Sequence, residues 1–135
     1  MKIRLQPLAT TELVDAERRR RLAIGIPHGA GRIQVRDGDR SFINLAMTAA
    51  RLALDAGSKS GDYRWQDPER DFEWILSDNS RAAMDAQTVV EIGQRSLALI
   101  SSLGITASNL KGRIRGGEQI FDIRNNRFWA DRAAD

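Results

Sequence analysis

Between Met84 and Ile114 the chain runs MDAQTVVEIGQRSLALISSLGITASNLKGRI, and the spacing of its apolar residues leaves few options for the rest of the fold. Val89, Ile92, Ser96, Leu99, Leu103, Ala107, Leu110 and Ile114 recur three or four residues apart, which on an α-helix puts them on one stripe of near-heptad spacing. Val90, Leu97 and Ile100 widen that stripe. Asp85 can cap the start by accepting the amide hydrogens of Gln87 or Thr88, and Lys111 and Arg113 lie near the negative end of the helix dipole. Gly93 and Gly104 oppose the assignment, since each costs roughly 1 kcal/mol relative to alanine in a helix interior. A C-terminal cap at Gly104 followed by a second short helix is the alternative. One continuous helix near 85–113, supporting the core, is the expected outcome.

The remaining elements follow in order. Residues 9–24 begin with threonines suited to an N-cap and carry acids early and arginines late, in agreement with a helix dipole. Gly25 and Pro27 end that helix, and 26–31 is read as a loop. Residues 32–36, RIQVR, alternate and predict a short strand turning Ile33 and Val35 inward. The segment 41–56 is a helix whose only polar stripe is Asn44, Thr48, Arg51 and Asp55. Phe42, Leu45, Ala46, Ala49 and Ala53 lie on one side of it, and Ile43, Met47, Ala50 and Leu54 on another. So apolar a helix must be covered on most sides, either by the sheet and the long helix or by a second subunit. The subunit is favoured, because the alanines permit close approach of helices.

Residues 57–70 form an exposed connection, with a possible short strand at 63–66. The segment 71–76 alternates, 77–80 is a tight turn and 81–84 returns as hairpin partner. A further strand is expected at 119–123. Phe128 and Trp129, beyond a turn at 125–126, are read as exposed aromatics used for edge packing or an oligomer contact. The fold class is therefore α+β: a small antiparallel sheet (hairpin 71–76/81–84 plus strands near 32–36 and 119–123) packed on three helices near 10–24, 41–56 and 85–113. One domain over 1–135 is expected, with an N-terminal arm 1–8 and a C-terminal tail 130–135 at its periphery. Trp74 and Leu99 are expected inside, and Arg19 outside.

Composition narrows the chemistry. A chain of 135 residues with 41% hydrophobic content suits one modest core. There is no cysteine, which removes disulfides, thiol catalysis and most structural zinc, and the single histidine, His28, removes most remaining metal and triad chemistry. Gly29 and Gly31 lack the flanking strand and Gly-Lys-Ser/Thr element of a phosphate loop. Asp67, Glu69 and Asp71 form a solvated charge cluster, and Asp37 and Asp39, although spaced like calcium ligands, are followed by Arg40. No catalytic, cofactor or metal site is expected, hence no enzyme. No apolar run approaches the ~20 residues of a membrane span, and the N-terminus has no hydrophobic signal region, so a soluble protein retained where it is made is expected. The 21 basic and 18 acidic residues, net +3, are intermingled. Arg18, Arg19, Arg20 and Arg21 point around a helix and do not form one flat patch; their stems are expected to pack on apolar neighbours.

One combination of residues carries a resemblance. Asp71-Phe72-Glu73-Trp74-Ile75, Asp78-Asn79-Ser80 and Met84-Asp85-Ala86-Gln87-Thr88-Val89 are followed by Gly93-Gln94, Ala107, Leu110 and Lys111. Ahead of them stand Glu17, Arg18, Arg21, Ile24 and Gly25, then Ile33-Gln34-Val35, Asp39-Arg40 and Ala49-Ala50. Over about residues 12–114 this order resembles a small domain of unknown function that occurs in tailed-phage and prophage proteins, often in or beside tail-fibre and tail-assembly genes. Gly104 and the serine-rich positions near it depart from the pattern, which has alanine and bulkier residues there. The resemblance supplies no catalytic residue. It implies a non-enzymatic structural or assembly protein that contacts copies of itself or other tail proteins, in the host cytoplasm during assembly or in the tail itself. The candidate interaction surface comprises Arg18, Arg19, Arg20, Arg21, Ile43, Met47, Leu54, Phe128 and Trp129. The alternative is a small basic nucleic-acid-binding or regulatory module using Arg18 to Arg21 with Arg113 and Arg115, which a steep salt dependence of binding would distinguish.

Overall fold

The helix α3, Ala86–Arg115, runs unbroken for 30 residues through both of its glycines, and the other elements are arranged along it in a computed structural model that describes residues 7–129. Asp85 caps it by accepting the Thr88 N–H at 2.9 Å, while its second carboxylate oxygen accepts the Gly61 N–H at 3.0 Å and pins the 57–70 connection to the helix start. Val89, Ile92, Ser96, Leu99, Leu103, Ala107 and Leu110 are buried, on the stripe their spacing predicts. Helix α1, Thr11–Ile24, is capped by the Thr10 hydroxyl and packs on the C-terminal half of α3, with Lys111 3.0 Å from Asp15. Helix α2, Arg40–Asp55, packs on the N-terminal half.

The two glycines of α3 are tolerated for different reasons. A Cβ on Gly93 would lie 2.3 Å from Met47 Sδ and 3.0 Å from Met47 Cβ, so its absence lets α2 approach, whereas nothing lies within 4 Å of the same point on Gly104. Gly104→Ala is therefore expected to raise stability by about 1 kcal/mol. Gly93→Ala, with the same gain in propensity, is expected to lower it, because Met47 must be displaced from a packed site. Denaturant melts of the two variants check the contrast; a gain in both would mean that α2 does not seat on Gly93.

The strands form two separate hairpins and not the single sheet expected. Strands β1, Ile26–His28, and β2, Gly31–Ile33, pair with Ile26 opposite Ile33, so the segment read as a loop is half of a hairpin, turned by Gly29 at φ 55. Pro27 can sit there because a two-stranded ribbon leaves one side of each strand unpaired. The strand expected at 32–36 ends early: the Val35 N–H donates to the Leu22 carbonyl at 3.0 Å, which pulls the chain off the ladder and onto α1. Ile33 and Val35 are nevertheless both buried.

Strands β3, Glu73–Ile75, and β4, Arg81–Ala83, form the second hairpin inside the expected 71–76/81–84, with Asn79 at φ 67 in its turn. Its tie to the first hairpin is the Ser77 N–H on the Arg32 carbonyl at 2.9 Å. The short strand at 63–66 is not formed; Trp65 instead donates from Nε1 to the Met84 carbonyl.

The strand expected at 119–123 is also absent. Asp122 at φ 58 breaks the extended run, leaving one antiparallel bridge between Leu8 and Phe121 and the Ala9 N–H on the Ile120 carbonyl. Ile120 and Ile123, three residues apart and so not on one face of a strand, are both buried, and a short 3-10 turn, Asn126–Phe128, ends the described segment. One apolar cluster joins residues of α1, α2, α3, both hairpins and this segment, with Trp74 and Leu99 inside it. The peripheral arm is described only from Pro7 on, and the tail 130–135 lies outside the described residues.

Candidate interaction surface

Helix α2 has two apolar faces, and α3 can accept only one. The face turned inward carries Ile43, Ala46 and Ala50, buried, with Met47, Ala53 and Leu54 partly buried beside them. The other carries Phe42, Leu45, Ala49, Leu52 and Ala56, spaced three and four residues apart in the pattern of a coiled-coil seam. It is open to solvent: Phe42 is 50% exposed, Leu45 70% and Leu52 66%. Phe42 is held edge-on to Trp74, ring centroids 5.1 Å apart, and the aromatic row continues through Phe72 to Trp65. A small, mostly polar cleft lined by Gln34, Arg36, Asp39, Phe42, Trp74 and Ile75 lies between the hairpin and the helix, and Ile75 on its hairpin side is 63% exposed. Apolar patches of this size often mark an interaction site.

The structure redistributes the residues expected at an interaction surface. Ile43 is buried, and Met47 and Leu54 belong to the inward face, so the exposed apolar area of α2 is the opposite stripe. Trp129 is not an exposed aromatic: it is buried and donates from Nε1 to the Ile123 carbonyl at 2.7 Å. Phe128 is half-buried beneath the Arg127 guanidinium, 4.6 Å from its ring centroid. Two apolar faces of α2 are visible in the sequence, but Ala46 and Ala53, grouped there with Phe42 and Leu45, lie on the inward face, and Leu52, assigned to neither, lies on the outward one. Met47 seats on Gly93, where a Cβ would lie 2.3 Å from its Sδ, and this fixes which face turns inward.

The arginine run is divided. Arg18 is half-buried and Arg19 exposed, but Arg20 and Arg21 turn onto Glu17, whose carboxylate is buried. Arg20 donates to its two oxygens at 2.8 and 2.7 Å, and Arg21 Nε donates at 2.8 Å. Arg21 Nη2 reaches the Arg124 carbonyl and Asn126 Oδ1, and its guanidinium stacks 5.3 Å from the Trp129 ring centroid. Arg21 is thus a staple that fastens the C-terminal segment to α1, while Arg20 helps to hold the Glu17 carboxylate that orients it. The open groove beside it, lined by Leu13, Ala16 and Ile123, meets a carboxylate whose oxygens are already occupied.

The staple has a pH signature. Burial pushes the Glu17 carboxyl up, and the hydrogen bonds and charges of Arg20 and Arg21 together outweigh it, leaving the group below its ordinary value of 4.5. Because the folded value is depressed, the stabilisation is complete above 4.5 and is lost as pH falls through the folded value. Glu17→Gln is expected to cost about 2–3 kcal/mol at neutral pH, since Arg21 is left with an uncompensated, mostly buried charge. It should also flatten the acid limb of stability against pH; the slope that remains includes Asp85, held low by Thr88 and the Gly61 N–H. Urea midpoints from neutral pH down to pH 3 check this, and an unchanged acid slope would show that Glu17 is not paired as described.

Among the described residues no group of three or more His, Cys, Asp or Glu is placed to hold a metal ion, and no helix is long and apolar enough to cross a membrane. A family model described as Domain of unknown function (DUF4376) matches residues 6–126. No curated protein and no solved structure matches the chain.

Proposed function

We propose that this chain, which belongs to the DUF4376 family, is a non-enzymatic structural or assembly protein of a tailed phage or prophage, working through protein–protein contacts. The observation that carries the contact reading is the exposed stripe of Phe42, Leu45 and Leu52 with Ile75. Covering the exposed part of such side chains is worth roughly 1–2 kcal/mol each. The phage assignment draws on the Asp71–Ile75, Asp78–Ser80 and Met84–Val89 segments, which resemble a domain of phage tail loci. Its place of action on this reading is the bacterial cytoplasm during assembly, or the tail. Nucleic-acid binding has less to draw on, because Arg20 and Arg21 are committed to Glu17, and Arg113 to Glu118.

The test combines the gene's surroundings with the particle. Flanking genes for tail or baseplate components are expected, together with a loss of complete tails when Leu45→Glu is introduced into the gene. Flanking genes of ordinary metabolism would overturn the phage assignment.

A further inference from the structure

Resting on the reading of the α2 stripe as a contact surface, we propose that its partner is a second copy of this chain, the two α2 helices packing antiparallel about a twofold axis. The stripe is complementary to itself. Read antiparallel, Phe42 of one copy meets Leu52 of the other and Leu45 meets Ala49, giving four layers, large on large at the ends and large on small in the middle. The polar flank of the seam is Ser41, Thr48 and Asp55, so no lysine or arginine lies beside it to be buried.

The area fits. Phe42, Leu45, Leu52 and Ile75, which expose 50% to 70% of surfaces of roughly 200 Å² each, present on the order of 450 Å² of apolar area per copy. Two such patches bring together about 900 Å² of apolar area, in the range of weak, reversible interfaces.

The charges fit as well. Helix α2 has no acidic residue in its first turn and no basic residue in its last, and it ends on Asp55, at the unfavourable end of its own dipole. The antiparallel arrangement carries Asp55 to the positive N-terminal end of the other α2, beside Ser41. Arg36, Asp37, Asp39 and Arg40 at that end pair among themselves as Arg36 with Asp39 and Arg40 with Asp37, so Asp55 meets no net like charge there.

Light scattering over a concentration series tests the proposal, with the 15.1 kDa chain expected to pass from monomer to dimer across the micromolar range. Leu45→Glu and Leu52→Glu each place a carboxylate in the seam and are expected to weaken association at least about a hundredfold, with an unaltered helical circular dichroism signal. The chain has no cysteine, so Thr48→Cys supplies a unique thiol. A short bis-maleimide is expected to join two copies there, and not at Ser101→Cys on the exposed side of α3. A monomer at every concentration overturns the proposal, as does a dimer that survives both glutamate variants, or a trimer. None of these outcomes bears on the flanking genes, so a failed dimer is distinguishable from a failed phage assignment.

Discussion

Gly25→Ala is expected to lower stability by about 4 kcal/mol or more, the largest effect of any single substitution considered for this chain. Gly25 closes α1 with its N–H on the Arg21 carbonyl and then turns the chain at φ 71 and ψ −148, a region open essentially to glycine alone. That strain accounts for roughly 1–3 kcal/mol. The rest comes from contact: a Cβ there would lie 1.8 Å from the Ile33 carbonyl oxygen and 2.9 Å from the Gln34 Cα. These are backbone atoms, so relief requires opening the β1–β2 ladder where Ile26 faces Ile33, both fully buried. Arg32, which donates to the Ile24 and Gly25 carbonyls, would be displaced too. Gly29→Ala is the comparison: φ 55 is also positive, but nothing lies within 4 Å, so only about 1–2 kcal/mol is expected. Calorimetry of the two variants should show a fall in Tm of more than about 12 °C for Gly25→Ala and much less for Gly29→Ala. Equal losses would mean that the first hairpin does not press on the helix end.

Leu99→Ala is expected to cost about 2–5 kcal/mol. Leu99 is fully buried midway along α3, and truncation both forfeits its transfer free energy and leaves a cavity that rigid helices cannot close. The same experiment on Arg19→Ala, an exposed position on α1, should cost under about 0.5 kcal/mol. Comparable shifts in the two denaturation midpoints would place the core elsewhere.

What could be read from the residues alone follows from how local its causes are. The length and main inward stripe of α3 were legible because one periodicity persists through 30 residues, although Leu97, read as widening that stripe, is 64% exposed. The caps at Thr10 and Asp85 were legible because each reaches only three residues ahead. The β3–β4 hairpin was legible from its alternation and its Asx turn. The β1–β2 hairpin was not, since three-residue strands flanked by glycines and interrupted by Pro27 have the composition of a loop. Asp122 defeats an otherwise strand-like segment by one backbone angle that sequence does not announce. At the candidate surface, both faces of α2 were legible as apolar, but which one is inward depends on Gly93 receiving Met47 across the helix interface. The role of Arg21 likewise depends on Asn126 and Trp129, more than a hundred residues along the chain.

That this chain pairs with a second copy of itself through the outward stripe of α2 is tested most directly by backbone amide shifts recorded as its concentration rises from micromolar to millimolar. Concentration-dependent shifts or broadening are predicted at Phe42, Leu45, Ala49, Leu52 and Ile75, with the buried stripe of α3 and the Glu17 staple unchanged. Spectra that do not change with concentration, or changes centred on Arg18 to Arg21, would contradict the account.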